Sequence, residues 1–144
     1  MKVLILNGPN INMLGIREPD IYGKKNYSDL ENQLETWAKK LDIEIEVFQS
    51  NHEGVLVDKI QEAYNNFDGI IINPAAYTHT SVAILDVLKA VGIPAVEVHL
   101  SEPSEREAFR HVSYAGIACV GRFAGLGFDS YKMALEFIKN YLDN

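Results

Sequence analysis

Short apolar runs alternate with amphipathic stretches five times along the chain. Val3 to Leu6 is continuously apolar, which predicts a strand buried on both faces. Ser28, with Glu31 at capping-box spacing, predicts the start of a helix along which Leu30, Leu34, Trp37, Ala38 and Leu41 recur at helical intervals. Ile43 to Phe48 alternates instead: Ile43, Ile45 and Val47 share one face and Glu44 and Glu46 the other, as in an edge strand with a wetter side. A second helix carries Leu56, Ile60, Ala63, Tyr64 and Phe67, and Gly69 to Ile72 reads as a third, fully buried strand. Thr80 to Val91 predicts a third helix charged only at Asp86 and Lys89. So apolar a helix needs cover on nearly all sides, and in a small domain that points to another subunit. Val96 to His99 and Ile117 to Gly121 are the remaining strands. The last helix, from about Ser130, sets Tyr131, Ala134, Leu135, Ile138, Tyr141 and Leu142 along one stripe.

Repeated strand–helix units with short strands predict an α/β domain: a five-stranded parallel sheet with helices on both faces. Five such units fit the flavodoxin-like strand order 2-1-3-4-5. No internal repeat, low-complexity tract or linker interrupts residues 1–144, which read as one domain. Asn7 to Tyr27 breaks the pattern, because strand-to-helix connections usually take about 2 to 6 residues. Long structureless connections tend to be lids or binding loops, and this one holds Asn10, Asn12, Arg17, Glu18, Tyr22 and Tyr27.

Composition narrows the classes. Apolar residues at 47% and charged residues at 23% predict a folded globular chain rather than a disordered one. A net charge of -7 with no Lys/Arg run longer than a pair lacks the basic footprint of nucleic-acid binding. The single cysteine, Cys119, has no internal disulfide partner and sits in an apolar stretch, as a core thiol would. The apolar run at the amino terminus is too short for a signal peptide, and no segment approaches the ~20 apolar residues of a membrane span. A cytoplasmic location, with no membrane association, is the expectation.

In an open parallel sheet, ligands bind beyond the carboxyl ends of the strands. The residues there are Asn7, Asn10, Arg17 and Tyr22 after the first strand, Asn73, Tyr77 and His79 after the third, and Glu97, His99 and Ser101 at the fourth. Glu97 and His99, two apart in a strand, share a face, so the carboxylate can orient the imidazole and favour its acidic form. A structural ion pair is the competing reading, and its place at the end of a central strand favours catalysis. Tyr22 is a poor base unless a cation stabilises its phenolate, which Arg17 on the same loop could do. Spacing leaves open a solvated Arg17 and a Tyr22 that merely anchors the loop. Other chemistries fit less well. A receiver-type phosphorylation site needs carboxylates where Asn7 and Asn73 stand. No P-loop, post-strand G-x-G-x-x-G or metal-ligand spacing is present, and His52 and His111 read as structural or surface residues.

Several blocks are similar to type II 3-dehydroquinate dehydratases: Asn7 to Pro19 followed by Tyr22-Gly23, Gln49 to Gly54, Ile72 to Ser81, Glu97 to Ser101, and Glu107 to His111. They fall in family order over essentially the whole chain. The resemblance implies a flavodoxin-like lyase, without metal or organic cofactor, that reversibly dehydrates 3-dehydroquinate to 3-dehydroshikimate in the shikimate pathway of aromatic amino acid biosynthesis or in quinate breakdown. It also implies a homododecamer, a tetramer of trimers. By the same analogy Tyr22, ionised beside Arg17, is the base, and a water near Asn10 stabilises an enolate. His99, oriented by Glu97, is the acid. Asn73, His79, Arg110 and Leu100-Ser101 hold the substrate, and Asp86 reaches a neighbour's site. A flavodoxin-like binding or signalling module without catalysis is the alternative. Ala75 stands where the family has glycine and Glu102 where asparagine is common; an inward Glu102 would weaken binding of a carboxylate. Arg122, Phe123 and Asp129-Ser130 depart as well.

Overall fold

The computed structural model describes residues 1–16, 20 and 24–144. Arg17 and Tyr22 lie outside them. Five strands, β1 (Lys2–Asn7), β2 (Glu44–Gln49), β3 (Gly69–Asn73), β4 (Ala95–His99) and β5 (Gly121–Ala124), form one sheet in the order β2-β1-β3-β4-β5. Every pairing is parallel. Among the described residues four longer α-helices flank the sheet: α1 (Tyr27–Lys40), α2 (Glu53–Ala63), α3 (Val82–Val91) and α4 (Asp129–Asp143). The flavodoxin-like order expected from the alternation is the order found.

Two apolar layers explain why the inner strands are continuously hydrophobic. Val3, Ile5, Ile71, Val96 and Val98 pack against Leu30, Leu34 and Ala38 of α1 and Tyr131, Leu135 and Ile138 of α4. Leu4, Leu6, Ile70, Ile72 and Ala95 face Leu56, Ile60 and Ala63 of α2 and Ile84, Val87 and Leu88 of α3. Side chains that alternate between faces are therefore buried whichever way they point. Strand β2 at the sheet edge is only partly buried, in keeping with its alternation.

The structure corrects several boundaries. The capping box is Asn26 with Asp29, two residues before the expected Ser28 and Glu31: each side chain accepts from the other's backbone N–H at 2.9 Å. Helix α2 stops at Ala63, leaving Tyr64 exposed as its cap, while Phe67 packs on the second layer beyond it. Helix α3 starts at Val82, where the Ser81 hydroxyl accepts from the Ile84 N–H at 2.9 Å. It buries Ile84, Leu85, Val87 and Leu88 within the chain and leaves Val82 and Asp86 exposed.

The fifth strand is displaced. Residues 115–118 form a 3-10 turn with Ile117 63% exposed, and the strand follows at Gly121. An edge strand needs only one buried face, so Arg122 is accommodated in it while the more apolar stretch before it roofs the second layer through Ala118 and Cys119. Cys119 is half-buried, donates to the Ala115 carbonyl at 3.3 Å, and has its thiol pushed up to about 12, first by burial and then by the nearby Glu97 charge. Among the described residues no helix is long and apolar enough to cross a membrane.

Candidate active site

The carboxyl ends of β1, β3 and β4 are held together by backbone approach. Gly8 donates its N–H to the Asn73 carbonyl at 2.8 Å, and a Cβ at Gly8 would lie 2.5 Å from the Pro74 oxygen, so no side chain fits there. Asn10 follows in the left-handed region at φ 70, a conformation asparagine tolerates. Its N–H donates to the Asn51 side chain at 3.0 Å, Gln49 donates to the Gly8 carbonyl and to Asn51 and Asn12, and the Tyr77 hydroxyl donates to the Asn51 carbonyl at 2.8 Å. The Gln49-Ser50-Asn51 segment thus pins the start of the long loop, and Tyr77 is an anchor rather than a site residue.

Beneath the loop runs a buried polar chain. Asn7 donates to the Tyr27 hydroxyl at 3.3 Å, Tyr131 donates to Asn7 Oδ1 at 2.6 Å, and Asn73 donates to the Tyr131 hydroxyl at 3.0 Å. Asn73 Oδ1 in turn accepts from the Ala75 N–H at 3.1 Å. Burial pushes the Tyr131 phenol well above its ordinary value, so it stays a neutral donor. The Asn73 amide has a second hydrogen left over, and its residue lines the cleft above. Ala75 sits at φ 53, where a side chain costs about 1 kcal/mol that glycine avoids.

That cleft is lined by Pro9, Asn10 and Ile11 after β1, by Asn73, Ala75, Ala76 and His79 after β3, and by His99, Leu100, Ser101 and Pro103 after β4. Arg106 and Arg110 close it. The structure therefore brings together seven of the expected residues: Asn10, Asn73, His79, His99, Leu100, Ser101 and Arg110. Asp86 is exposed on α3 and does not line this cleft of its own chain. Arg106 was not anticipated; an arginine in a loop bears no mark separating it from a surface charge.

Glu97 and His99 sit at the base of the cleft wall, 1% and 6% exposed, with His99 Nε2 2.6 Å from Glu97 Oε2. Burial alone would push the Glu97 carboxyl up. The hydrogen bond and charge of His99, the Ser113 hydroxyl donating at 2.7 Å, and the Arg122 guanidinium outweigh burial and hold it below the usual carboxylate range. An ionised Glu97 only accepts, so Nε2 of His99 carries the shared hydrogen and Nδ1 is the nitrogen left for the cleft. Ser113, itself fixed by the Gly116 N–H at 3.0 Å, lies in coil sixteen residues from Glu97, and nothing in its spacing marks it.

The opposite tautomer serves His79. Its Nδ1 lies 2.7 Å from the Val112 carbonyl, which can only accept, so Nδ1 bears the hydrogen. Burial first of all lowers its affinity for a second proton, leaving Nε2 as an acceptor. Arg110 has its Nε between the two oxygens of Glu107, both at 3.2 Å, which aims a cation whose other nitrogens make no further hydrogen bond among the described residues. Glu102 does not turn into this cleft. It pairs with Arg122 at 3.0 Å and accepts from the Ser104 hydroxyl at 2.7 Å, so two of the departures from the family pattern neutralise each other.

An imidazole backed by a buried carboxylate, a neutral imidazole acceptor, an arginine and an amide donor around one cleft suit a small polyhydroxylated carboxylate. The comparisons agree. The family model described as Dehydroquinase class II matches residues 1–139. A 3-dehydroquinate dehydratase of Endomicrobium trichonymphae is 55% identical over 135 residues, 94% of each chain, and one of Geotalea daltonii is 54% identical over 142 residues, 99% of each. The crystal structure of type II dehydroquinase from Butyrivibrio crossotus superposes with a TM-score of 0.94 at 52% identity, covering 96% of this chain and 97% of that one. Matched along its length by family model, relatives and fold alike, the chain belongs to the class II dehydroquinase family.

Proposed function

We propose that this chain reversibly dehydrates 3-dehydroquinate to 3-dehydroshikimate through an enolate. The observation that carries the reading is the buried Glu97–His99 pair, 2.6 Å apart, opening on a cleft that also holds Asn73, His79, Ser101 and Arg110. Hydroxide is a poor leaving group, and His99 as imidazolium supplies the proton that lets it depart as water. Removing the proton beside the ketone is assigned to Tyr22, with Arg17 stabilising its phenolate. Both assignments rest on the sequence. The enolate oxygen is stabilised through a water at Asn10. Arg110 takes the substrate carboxylate, and His79 Nε2 and the Asn73 amide take hydroxyls, alongside Ser101 and the Leu100 backbone.

The working particle is proposed to be a cytoplasmic homododecamer built from trimers, with Asp86 reaching a neighbouring site; the exposed Val82 on the same helix supports a partner there. The test is an ultraviolet assay of purified protein with 3-dehydroquinate, without added metal or cofactor, before and after borohydride treatment in the presence of substrate. The conjugated enone of 3-dehydroshikimate is expected at the same rate in both. Absence of enone in the untreated sample would leave a binding module, and loss only after borohydride would mean an imine mechanism.

A further inference from the structure

Glu97 of β4 and Arg122 of β5 are register partners on adjacent strands, so their side chains share a face of the sheet. Nε of Arg122 stands 3.8 Å from Oε1 of Glu97. The outer edge of the guanidinium is gripped by Glu102, whose two oxygens accept from Nη2 at 3.0 Å and Nη1 at 3.4 Å. Glu97 is served unevenly. Its Oε2 takes the hydrogen bonds of both His99 and Ser113, whereas Oε1 is buried and takes none among the described residues. An unpaired carboxylate oxygen out of water is costly unless a charge faces it, and among the described residues Arg122 is the cation that does.

We propose that Arg122, locked in place by Glu102, is a positioning residue for the acid: it compensates the open oxygen of Glu97 and moderates the hold of Glu97 on the His99 proton. The inference rests on the reading of His99 as the acid. Two cations, Arg122 and the imidazolium, share one carboxylate, and each weakens the attraction felt by the other. With Glu97 to itself the imidazolium would keep its proton longer and protonate the leaving hydroxyl more slowly. An exposed Arg–Glu pair that served only the surface would be worth little and would leave the chemistry unchanged. Other titratable and charged groups surround His99: His79, Arg106 and Arg110 on the cleft side, and His111, Glu102 and Cys119 behind it. All but Glu102 keep their surroundings in the variant; Arg122→Met also frees the Glu102 carboxylate, which acts on His99 with the same sign as loss of the cation, so the comparison reads the Arg122–Glu102 lock as a unit.

The experiment is the pH–rate profile of wild type, Arg122→Met and Arg122→Lys with 3-dehydroquinate, each at matched protomer concentration. Arg122→Met is expected to keep KM within about twofold and lower plateau kcat about three- to tenfold. Its alkaline limb should move up by about half to one pH unit. Arg122→Lys should return both toward wild type. Should Arg122→Met fail to fold by circular dichroism, the same comparison runs on Arg122→Gln, which is neutral but polar. An alkaline limb that coincides with wild type in the neutral variant overturns the proposal and leaves the functional reading standing. Wild type without turnover removes the functional reading first, and this inference with it.

Discussion

Tyr131→Phe removes one oxygen from the middle of the buried chain that supports the cleft. Tyr131 is fully buried, and its hydroxyl is the only hydrogen-bond partner of Asn7 Oδ1 and of Asn73 Nδ2 among the described residues. Phenylalanine keeps the ring packed between α4 and the sheet, so the loss is almost wholly polar. Each buried amide group left unpaired costs about 1–3 kcal/mol. Both side chains keep one other bond, Asn7 to Tyr27 and Asn73 to the Ala75 N–H, so neither is free to turn and find a new partner. The expected loss is about 2–4 kcal/mol. Tyr27→Phe, at the half-buried end of the same chain and 3.3 Å from its partner, should lose less than about 1 kcal/mol. Urea unfolding at fixed protomer concentration measures both, since any subunit association adds to apparent stability. KM should rise in Tyr131→Phe as well, because the Asn73 amide loses its tether. A Tyr131→Phe midpoint equal to wild type, or a larger effect from Tyr27→Phe, would refute the argument that this chain bears load.

Ala75→Gly should stabilise the chain by about 0.5–1 kcal/mol in the same assay, since a side chain at φ 53 is strained and the Asn73 tether already holds the turn; a destabilised variant would contradict this. Glu97 is held below the usual carboxylate range of about 4.5, so it contributes stability that is present above that pH and lost as pH falls through the folded value. His99→Ala removes the chief lowering partner, so acid unfolding followed by circular dichroism should begin at higher pH than in wild type; coincident curves would count against the coupling. The same variant should bind substrate and fail at loss of water in the ultraviolet assay. Tyr22→Phe should retain the fold and lose nearly all turnover, and a fully active Tyr22→Phe protein would sink the assignment of the base.

The inner sheet and the cleft were legible for one physical reason: the chain alternates strand and helix in a parallel order, which puts every strand's carboxyl end on one edge. Val3 to Leu6 and Gly69 to Ile72 announce themselves because both faces are covered, and that burial in turn places Asn73 and His99 side by side from distant segments. Edge strand β5 has no such constraint. Apolar density selects Ile117 to Gly121, whereas the sheet takes Gly121 to Ala124. The misplacement matters for the site, because a strand ending at Gly121 leaves Arg122 outside the sheet, where it reads as an odd charge near the last helix. Only the register that sets Arg122 opposite Glu97 turns it into a neighbour of the Glu97–His99 pair, and it also accounts for Glu102 facing Arg122 rather than the cleft. Side-chain partners across an edge are decided by register, and a slip of one residue sends each side chain to the other face. The residues that line the cleft could therefore be read from position and resemblance, while the partners that Glu97 finds across the sheet edge could not.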